Sequence, residues 1–178
     1  VKEAFSLARK VGFDNINTDL IAGLPSDNFE SFKDTLSEVI NLDPESITVH
    51  TLTLKRASSL FREADLVSDE DIAKMVSYSV DKLCGEGYNP YYLYRQKNTL
   101  NNLENVGYAK ADKAGIYNIL IMEEKQSIVA AGAGASTKMV YPGGRIERIE
   151  NVKDVGQYIE RIDEMIQRKR DFWEANGR

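Results

Sequence analysis

The chain has 178 residues, enough for one ordinary domain or two small ones. Hydrophobic residues make up 42% and charged residues 29%, which is typical of a globular chain rather than a disordered one. The net charge is −5, with acids and bases interspersed, so we expect no nucleic-acid partner that recognises a basic face. A few local Arg or Lys residues could still hold an anionic substrate.

The cysteine content and the length of the apolar runs indicate the cellular compartment in which the chain is expected. Cys84 is the only cysteine, so an internal disulfide is excluded and a metal cluster held by this chain's thiolates alone is excluded too. This favours a reducing compartment, and we predict the cytoplasm. Apolar runs such as 119–122 are too short to span a bilayer, so no membrane partner is expected. The chain opens at Val1 inside a predicted helix, and we therefore expect the natural protein to continue upstream.

The first third of the chain alternates helices with strands. Helical spacing of Ala4, Phe5, Leu7, Ala8 and Val11 predicts a first helix over 2–11. A buried strand follows in the apolar run NINTDLIAG.

A second pair of elements repeats this order. Asp27 and Glu30, three residues apart, resemble a capping box and predict a helix that ends before Pro44. Alternation in SITVHTLTL predicts another strand. This order is the pattern of βα units around a parallel sheet. We predict that residues 1–64 form the last part of a larger βα domain.

The pattern changes after residue 64, and we predict a second domain of mixed α+β structure over 65–178. An acid-capped helix begins near Ser68, with Ile72, Val76, Val80 and Leu83 predicted inward. The segments YYLYRQ and YNILIM are rich in β-formers and predict strands, and GGRIERIEN predicts another. A long final helix is predicted to pack through the apolar stripe of Val155, Ile159, Ile162 and Ile166.

Asp19 is the first candidate for chemistry. A carboxylate in a buried parallel strand points toward the edge where βα sheets bind ligands, and it could accept hydrogen bonds from ribose hydroxyls. The alternative is a structural bond to the following loop.

Two further segments could contact ligands. The small residues of 130–137 would let backbone amides approach a ligand, but a tight helix-packing site is the favoured explanation on the sequence alone. In YYLYRQKN, alternation places Tyr92, Tyr94 and Gln96 on one face and Tyr91 with Arg95 on the other. An aromatic face beside cations suits a flat macrocycle that carries carboxylates, but tyrosines also fill half-buried sheets routinely. The only histidine, His50, has a structural explanation as a hydrogen-bonded core or rim residue.

Several segments together resemble one family. They are INTDLIAGLP, ITVHTLTLKRAS, YYLYRQKNTLNNLENVGYA, AAGAGASTK and ERIENVKDVGQYIERIDEMI. They resemble oxygen-independent coproporphyrinogen III oxidases of the radical S-adenosylmethionine superfamily, and the HTL-x-x-KRAS and YRQKN segments are similar to the HemZ-type branch. The resemblance covers nearly the whole chain.

The resemblance implies an α/β fold: the last βα units of a partial radical S-adenosylmethionine barrel, followed by a mixed α+β carboxyl-terminal domain. It implies S-adenosylmethionine and a [4Fe-4S] cluster as cofactors, coproporphyrinogen III as substrate and an electron donor as partner. The implied reaction is oxidative decarboxylation of two propionates to vinyl groups, giving protoporphyrinogen IX in heme biosynthesis.

The resemblance also implies site residues. Asp19 matches the acid that contacts S-adenosylmethionine, and Thr53 lies on the next strand at a cofactor-contacting position where the family often has Ala. Asn105, Val106 and Ser136 match positions that line the second cofactor or substrate pocket. Arg56 and Arg95 are candidates for the substrate carboxylates on their own chemistry, because Arg binds a carboxylate as a fork. No catalytic residue and no metal ligand is assigned.

The main departure from the family is the absence of its C-x3-C-x2-C cluster ligands. We therefore expect this chain to be a fragment that is inactive alone and prone to self-association through an exposed sheet edge. Two alternatives remain: a heme chaperone of the related type, although the H-N-x-x-Y-W segment of that group is not found, or an interaction domain without catalysis.

Overall fold

The computed structural model describes residues 1–52, 67–94 and 104–176. They divide into two compact units, Val1–Ile119 and Leu120–Arg178. The predicted domain boundary at 64/65 lies outside the described residues and stays a prediction, and the main sheet takes strands from both sides of it.

The first unit contains one four-stranded sheet. In chain order its elements are α1 (Lys2–Lys10), β1 (Asn17–Ala22), α2 (Phe29–Asn41), β2 (Ser46–Thr51), α3 (Asp69–Gly85), β3 (Asn89–Tyr94) and β4 (Asn105–Ala109). The strand order is β1-β2-β4-β3. β1 and β2 are parallel and joined through α2, whereas β4 is antiparallel to both of its neighbours. The predicted parallel βα arrangement is therefore present in β1–α2–β2.

One face of the sheet packs against α2 and α3 and forms the apolar core. Strand alternation turns Leu20, Ala22, Ile47 and Val49 to this face. They pack against a set of buried helix residues, which are Phe32, Leu36, Ile72, Met75 and Leu83. The core thus fixes which side of each strand is left for polar groups.

The cap of α2 differs from the predicted one. Asn28 has an extended backbone (φ −147°) and accepts a hydrogen bond from the Ser31 N–H at 3.0 Å, while the Ser31 hydroxyl accepts from the Asn28 N–H. Asp27 lies one residue too early and accepts from the Asn28 N–H instead. The reciprocal pair is therefore Asn28 with Ser31, and the prediction of Asp27 with Glu30 is wrong.

Two predicted helix faces are also corrected. In α3, Ile72 and Leu83 are buried as predicted, but Met75 is buried too and Val80 is exposed. In α1 only Phe5 of the predicted apolar side is buried. Helical spacing identifies amphipathic faces, but which part of a face is covered depends on the neighbouring elements.

The segment YNILIM is helical and not a strand. It lies in α4 (Ile116–Met122), which begins in the first unit, and the Asn118 side chain donates to the Tyr91 hydroxyl at 2.9 Å. The prediction rested on β-propensity, which reflects packing surroundings more than the backbone itself.

The second unit contains a hairpin and two helices. These are β5 (Ser136–Val140), β6 (Ile146–Glu150), α5 (Val155–Glu160) and α6 (Ile162–Asn176). The predicted strand in GGRIERIEN is β6, which follows a turn in which Gly143 and Gly144 both have positive φ (88° and 85°).

The final helix is interrupted at Arg161, where φ is −107° and ψ is 26°. The helical period counted across this break does not define one face, and all four residues of the predicted stripe are exposed. Met165 is the buried residue of α6, with 1% of its surface exposed. The predicted packing stripe is therefore wrong. No helix in the described ranges has both the length and the apolar character to cross a bilayer.

Candidate functional site

The side of the sheet opposite α2 and α3 gathers polar and aromatic groups from all four strands. We call this side the polar face; its residues are Asn17, Asp19, Ile21, Thr48, His50, Tyr92, Tyr94, Asn105 and Gly107. Their positions follow from the register, in which Asp19 pairs with Thr48, Ile21 with His50, and Thr48 with Gly107. Tyr92 pairs with Gly107 and Tyr94 with Asn105, which places these two tyrosines on the same side.

A first chain of hydrogen bonds runs from Tyr92 to Asp19. The Asn17 amide donates to Asp19 Oδ1 at 2.7 Å, and the Thr48 hydroxyl donates to Asn17 Oδ1 at 3.2 Å. The Tyr92 hydroxyl lies 3.4 Å from Thr48 Oγ1. Because the single Thr48 proton is directed to Asn17, Tyr92 is the donor in this last contact.

A second chain reaches the same carboxylate from Tyr94. The Tyr94 hydroxyl lies 3.3 Å from His50 Nδ1, and His50 Nε2 lies 3.7 Å from Asp19 Oδ1. The two aromatic rings meet edge to face with centroids 6.3 Å apart. The imidazole is thus placed between a phenol and a carboxylate.

Asp19 is held at one oxygen and open at the other. Both chains end at Oδ1, while Oδ2 has no hydrogen bond or ion pair within the described part of the chain. The Asp19 side chain is 61% exposed, whereas His50 is 26% exposed. A fixed, accessible carboxylate oxygen is suited to accept hydrogen bonds from a ligand.

The Tyr92 ring closes over Gly107. A Cβ at Gly107 would lie 2.0 Å from Tyr92 Cε1, so the ring needs a residue without a side chain beneath it. Burial raises the pKa of the Tyr92 phenol, an effect that the hydrogen bond with Thr48 opposes, and the hydroxyl stays a neutral donor at physiological pH. The Tyr92 and Tyr94 rings are parallel within 4°, with centroids 6.4 Å apart.

The predicted alternation of the tyrosines holds for Tyr92 and Tyr94 but not for Tyr91. The register shifts between Pro90 and Tyr92, and the Tyr91 ring lies 4.8 Å from the Tyr92 ring. Neighbouring residues on opposite faces of a regular strand could not bring their rings so close. The β-bulge therefore overrides the period of two.

Asn105 and Val106 have structural contacts. Asn105 is 1% exposed, and its Oδ1 accepts from the Thr51 N–H at 2.8 Å while its amide lies 3.4 Å from the Tyr94 carbonyl. It thereby joins the end of β2 to β3. Val106 points to the other side and packs against the apolar core. Their predicted contacts with a cofactor or substrate stay predictions.

Ser136 and the small-residue turn lie in the second unit. The Ser136 hydroxyl donates to Glu150 Oε1 at 2.7 Å. In the preceding turn the Gly132 N–H donates to the Tyr158 hydroxyl, and the Gly134 N–H donates to the Val152 carbonyl. These two amides are engaged inside their own unit, which favours the packing explanation of the turn over a ligand cradle.

Three predicted site residues, Thr53, Arg56 and Arg95, lie outside the described residues, as does Gln96. Asn17 and Thr48 were not among the predicted site residues, although the alternation of N-T-D-L-I-A already places Asn17 beside Asp19. His50 was predicted as a core or rim residue, and its hydrogen bond with Tyr94 agrees with that. Its approach to Asp19 depends on the β1–β2 register, which the sequence does not specify.

The described part of the chain holds no group of three His, Cys, Asp or Glu side chains that could bind a metal ion. Cys84 is exposed near the end of α3. An adenosyl cofactor fits better, since its ribose hydroxyls are donors of the kind that the open Asp19 oxygen accepts.

The fold belongs to a known class. The chain superposes with a TM-score of 0.65 on the coproporphyrinogen III oxidase HemN of Escherichia coli, a radical SAM enzyme, at 21% sequence identity. The alignment covers 92% of this chain and 37% of that protein. The predicted α/β fold class is therefore confirmed.

The sequence comparisons point to particular relatives. The chain is 44% identical over 176 residues to the oxygen-independent coproporphyrinogen-III oxidase-like protein HemZ of Bacillus subtilis, covering 97% of this chain and 35% of that protein. It is 28% identical over 159 residues to the heme chaperone HemW of Haemophilus influenzae, covering 89% of this chain and 38% of that protein. The predicted resemblance to the oxygen-independent coproporphyrinogen III oxidase family, HemZ type, is confirmed. The chain spans somewhat over a third of the length of these relatives, and no family model matches it.

Proposed function

We propose that the protein carrying this chain is a radical S-adenosylmethionine oxidoreductase of the coproporphyrinogen III oxidase type. The observation that carries the proposal is the Asp19 carboxylate on the polar face of a parallel strand pair: Oδ1 accepts from Asn17, and the side chain is 61% exposed. The similarity to HemZ over 97% of the chain supports the same assignment.

In this proposal the polar face binds S-adenosylmethionine, and Asp19 accepts hydrogen bonds from its ribose hydroxyls. When bound and reduced by an iron–sulfur cluster, this cofactor would supply the radical chemistry that takes a hydrogen atom from a propionate side chain, which would then lose carbon dioxide and one electron to leave a vinyl group. The chain's own contribution is to orient the ribose and to present an aromatic surface, Tyr92 and Tyr94, beside it. No step is assigned to the cluster, because the described residues provide no ligand set for it.

The substrate assignment is coproporphyrinogen III, with two propionates converted to vinyl groups in heme biosynthesis. Arg56 and Arg95 remain our candidates for its carboxylates, and Thr53, Asn105, Val106 and Ser136 our candidates for further cofactor contacts. We also propose a cytoplasmic location, an external electron donor, and inactivity of this chain without the cluster-binding cysteines.

The test uses the full-length product of the gene, reconstituted anaerobically with iron and sulfide. We expect it to cleave S-adenosylmethionine and to convert coproporphyrinogen III to protoporphyrinogen IX, both followed by chromatography. Asp19→Asn should weaken S-adenosylmethionine binding by about tenfold or more, since a charge-assisted hydrogen bond is lost.

Asp14→Asn is the matched control, because Asp14 is an exposed carboxylate in the loop just before β1. It should bind the cofactor as the unchanged protein does. Cofactor cleavage without decarboxylation would defeat the oxidase assignment, and equal binding by Asp19→Asn would defeat the role of Asp19.

A second candidate, heme delivery, is favoured by the similarity to HemW over 89% of the chain. An absorbance titration of the full-length protein with heme distinguishes the two. A tightly retained heme together with no decarboxylation would establish this candidate in place of the oxidase.

A further inference from the structure

We propose that Asn17, Thr48, His50, Tyr92 and Tyr94 are positioning residues that hold Asp19 for a ligand presenting neighbouring hydroxyl donors. They form two chains that start at separate tyrosines and converge on Asp19 Oδ1. The identification of that ligand as the ribose of S-adenosylmethionine rests on the proposed function, whereas the positioning itself does not.

The convergence restricts the carboxylate. A lone exposed Asp side chain rotates among several orientations, and binding a ligand then costs the entropy of fixing one of them. Here Asn17 donates to Oδ1 from two residues earlier on β1, and His50 faces the same atom from β2. Two contacts from two strands restrict the rotation of the carboxylate, and both are made to Oδ1.

The outer members of the chains fix the inner ones. The Thr48 hydroxyl on β2 donates to the Asn17 amide oxygen at 3.2 Å, which favours the amide orientation that turns its nitrogen toward Asp19. Thr48 is 1% exposed, so its orientation is set by its neighbours, Asn17 and Tyr92. Tyr92 in turn is held in place over Gly107.

The proposal assigns one tautomer to His50, since the 3.3 Å contact between the Tyr94 hydroxyl and Nδ1 allows either group to donate. A Tyr94 hydroxyl that donates to Nδ1 requires the proton of the neutral imidazole to lie on Nε2, the nitrogen that faces Asp19. A neutral or a charged imidazole then both present an N–H toward the carboxylate. The 3.7 Å separation becomes a hydrogen bond with a small approach, as is common when a ligand closes a site.

The chemistry of the open atom defines the ligand class. Oδ2 is an anionic acceptor, so it selects hydroxyl or ammonium donors and disfavours phosphates and carboxylates. A vicinal diol can place one hydroxyl on each side of such an oxygen. The probe is therefore S-adenosylmethionine itself, with adenine and 2′,3′-dideoxyadenosine as analogues that lack the diol.

Three tyrosines on β3 supply a matched set of variants. Tyr92→Phe and Tyr94→Phe each remove the hydroxyl at the head of one chain. Tyr91→Phe removes a hydroxyl from the same strand that accepts from Asn118 and leads to neither chain. All three retain the ring and its packing.

The first measurement is S-adenosylmethionine affinity by calorimetry on the full-length protein, with thermal unfolding recorded in parallel. We expect Tyr92→Phe, Tyr94→Phe and His50→Ala each to weaken binding about threefold to tenfold, and Tyr91→Phe less than twofold. The two analogues without the diol should bind all variants equally. Equal affinity of all the variants for S-adenosylmethionine would overturn the proposal, as would losses that follow the change in unfolding temperature.

The second measurement is made on the unchanged protein, and a variant serves only to assign the signal. Imidazole ¹⁵N spectra of the full-length protein, with the His50 signal assigned by its loss in His50→Gln, report which ring nitrogen carries the proton. Protonation of Nε2, with a shift of that nitrogen on saturation with S-adenosylmethionine, supports the chain. A proton on Nδ1 alone overturns it.

These outcomes separate from those of the proposed function. A protein that binds S-adenosylmethionine through the two chains but does not decarboxylate coproporphyrinogen III refutes the oxidase and keeps the positioning. A Tyr92→Phe/Tyr94→Phe protein that decarboxylates normally and binds S-adenosylmethionine with unchanged affinity refutes the positioning and keeps the oxidase.

Discussion

The two faces of the four-stranded sheet use the same strands for opposite purposes. One face buries Leu20, Ile47 and Val49 beneath α2 and α3, and its contribution is non-directional burial of apolar surface. On the polar face, hydrogen bonds and polar contacts, which depend on direction and distance, restrain Asp19 at Oδ1. The Oδ2 atom is left to accept hydrogen bonds from a ligand. Substitutions on the core face should therefore change stability most, and substitutions on the polar face should change binding more than stability.

The largest expected effect is on the core face. Leu36 of α2 is fully buried, and Leu36→Ala should lower the free energy of unfolding by about 2–5 kcal/mol through lost burial and a residual cavity. Chemical denaturation of the full-length protein, followed by circular dichroism, measures it. Ile21→Ala is the control on the polar face, where Ile21 is 39% exposed, and about 1 kcal/mol or less is expected. Equal losses in the two variants would contradict the contrast between the faces.

Gly107→Ala should give the next largest effect, and it should lower both the stability and the cofactor affinity. Its new Cβ would require the Tyr92 ring to move, at a cost of about 1–3 kcal/mol for an overpacked contact. Because Tyr92 heads one chain to Asp19, cofactor affinity should fall as well. Adding Tyr92→Ala to Gly107→Ala should remove the clash, so the second change should cost less stability than it does in the unchanged protein. Strictly additive losses would show that the ring does not rest on Gly107.

The sequence predicted the individual strands and helices of the two faces better than it predicted how the strands pair. The buried strand NINTDLIAG, the alternating strand SITVHTLTL and the acid-capped helix α3 all occur near their predicted positions, because period and capping are local properties. The exposure of Asp19 in its strand follows from the same alternation. YNILIM failed because propensity alone does not settle the state of a short apolar segment.

The chains to Asp19 could not be predicted, for a topological reason. They depend on β2 pairing with β4 and on β4 pairing with β3, contacts between residues 44 positions apart such as Tyr92 with Thr48 and Tyr94 with His50. The β-bulge at Pro90 also shifts the tyrosines relative to regular alternation. Sequence patterns identify faces, whereas register decides which side chains on a face meet.

A tyrosine on the core side provides the third prediction. Tyr88 is 2% exposed and donates to the Pro44 carbonyl at 2.7 Å, so Tyr88→Phe should cost about 1–2 kcal/mol. Burial raises the pKa of Tyr88 to about 12 and that of Tyr108 to about 12 as well. Folded values above the unfolded one, near 10, mean that this stability is present below about pH 10 and is lost as pH rises toward about 12.

Denaturation between pH 9 and 12 tests this sign. The unchanged protein should lose stability steeply in that range, and Tyr88→Phe should reduce the slope because one of the two phenols no longer titrates. Tyr92→Phe, on the polar face, should reduce the slope less than Tyr88→Phe does. A slope that is unchanged in Tyr88→Phe would show that Tyr88 ionises as readily in the folded protein as in the unfolded chain.

The smallest effect comes from a second carboxylate whose situation is the reverse of that of Asp19. Both oxygens of Glu45 are engaged, Oε1 by Arg9 at 2.8 Å and Oε2 by the Ile16 N–H at 2.7 Å. Burial alone would raise the pKa of Glu45, but these hydrogen bonds and the charge of Arg9 outweigh it and the pKa is lowered. Glu45 is thus committed to joining α1 to the start of the sheet, whereas Asp19 keeps one oxygen for a ligand.

The lowered pKa fixes the sign of its pH dependence. A carboxyl with a folded pKa below its unfolded value contributes stability above the unfolded pKa, near 4.3, and loses it as pH falls through the folded pKa. Glu45→Gln should cost about 1 kcal/mol at neutral pH and flatten the acid limb below about pH 4. Glu38→Gln is the control, since the Lys2–Glu38 pair is exposed on both sides and should contribute little. If Glu38→Gln flattened the acid limb as much as Glu45→Gln, the hydrogen bonds of Glu45 would add no stability beyond that of an exposed ion pair. The contrast between Glu45 as a structural carboxylate and Asp19 as a ligand-binding one would then lose its support from Glu45.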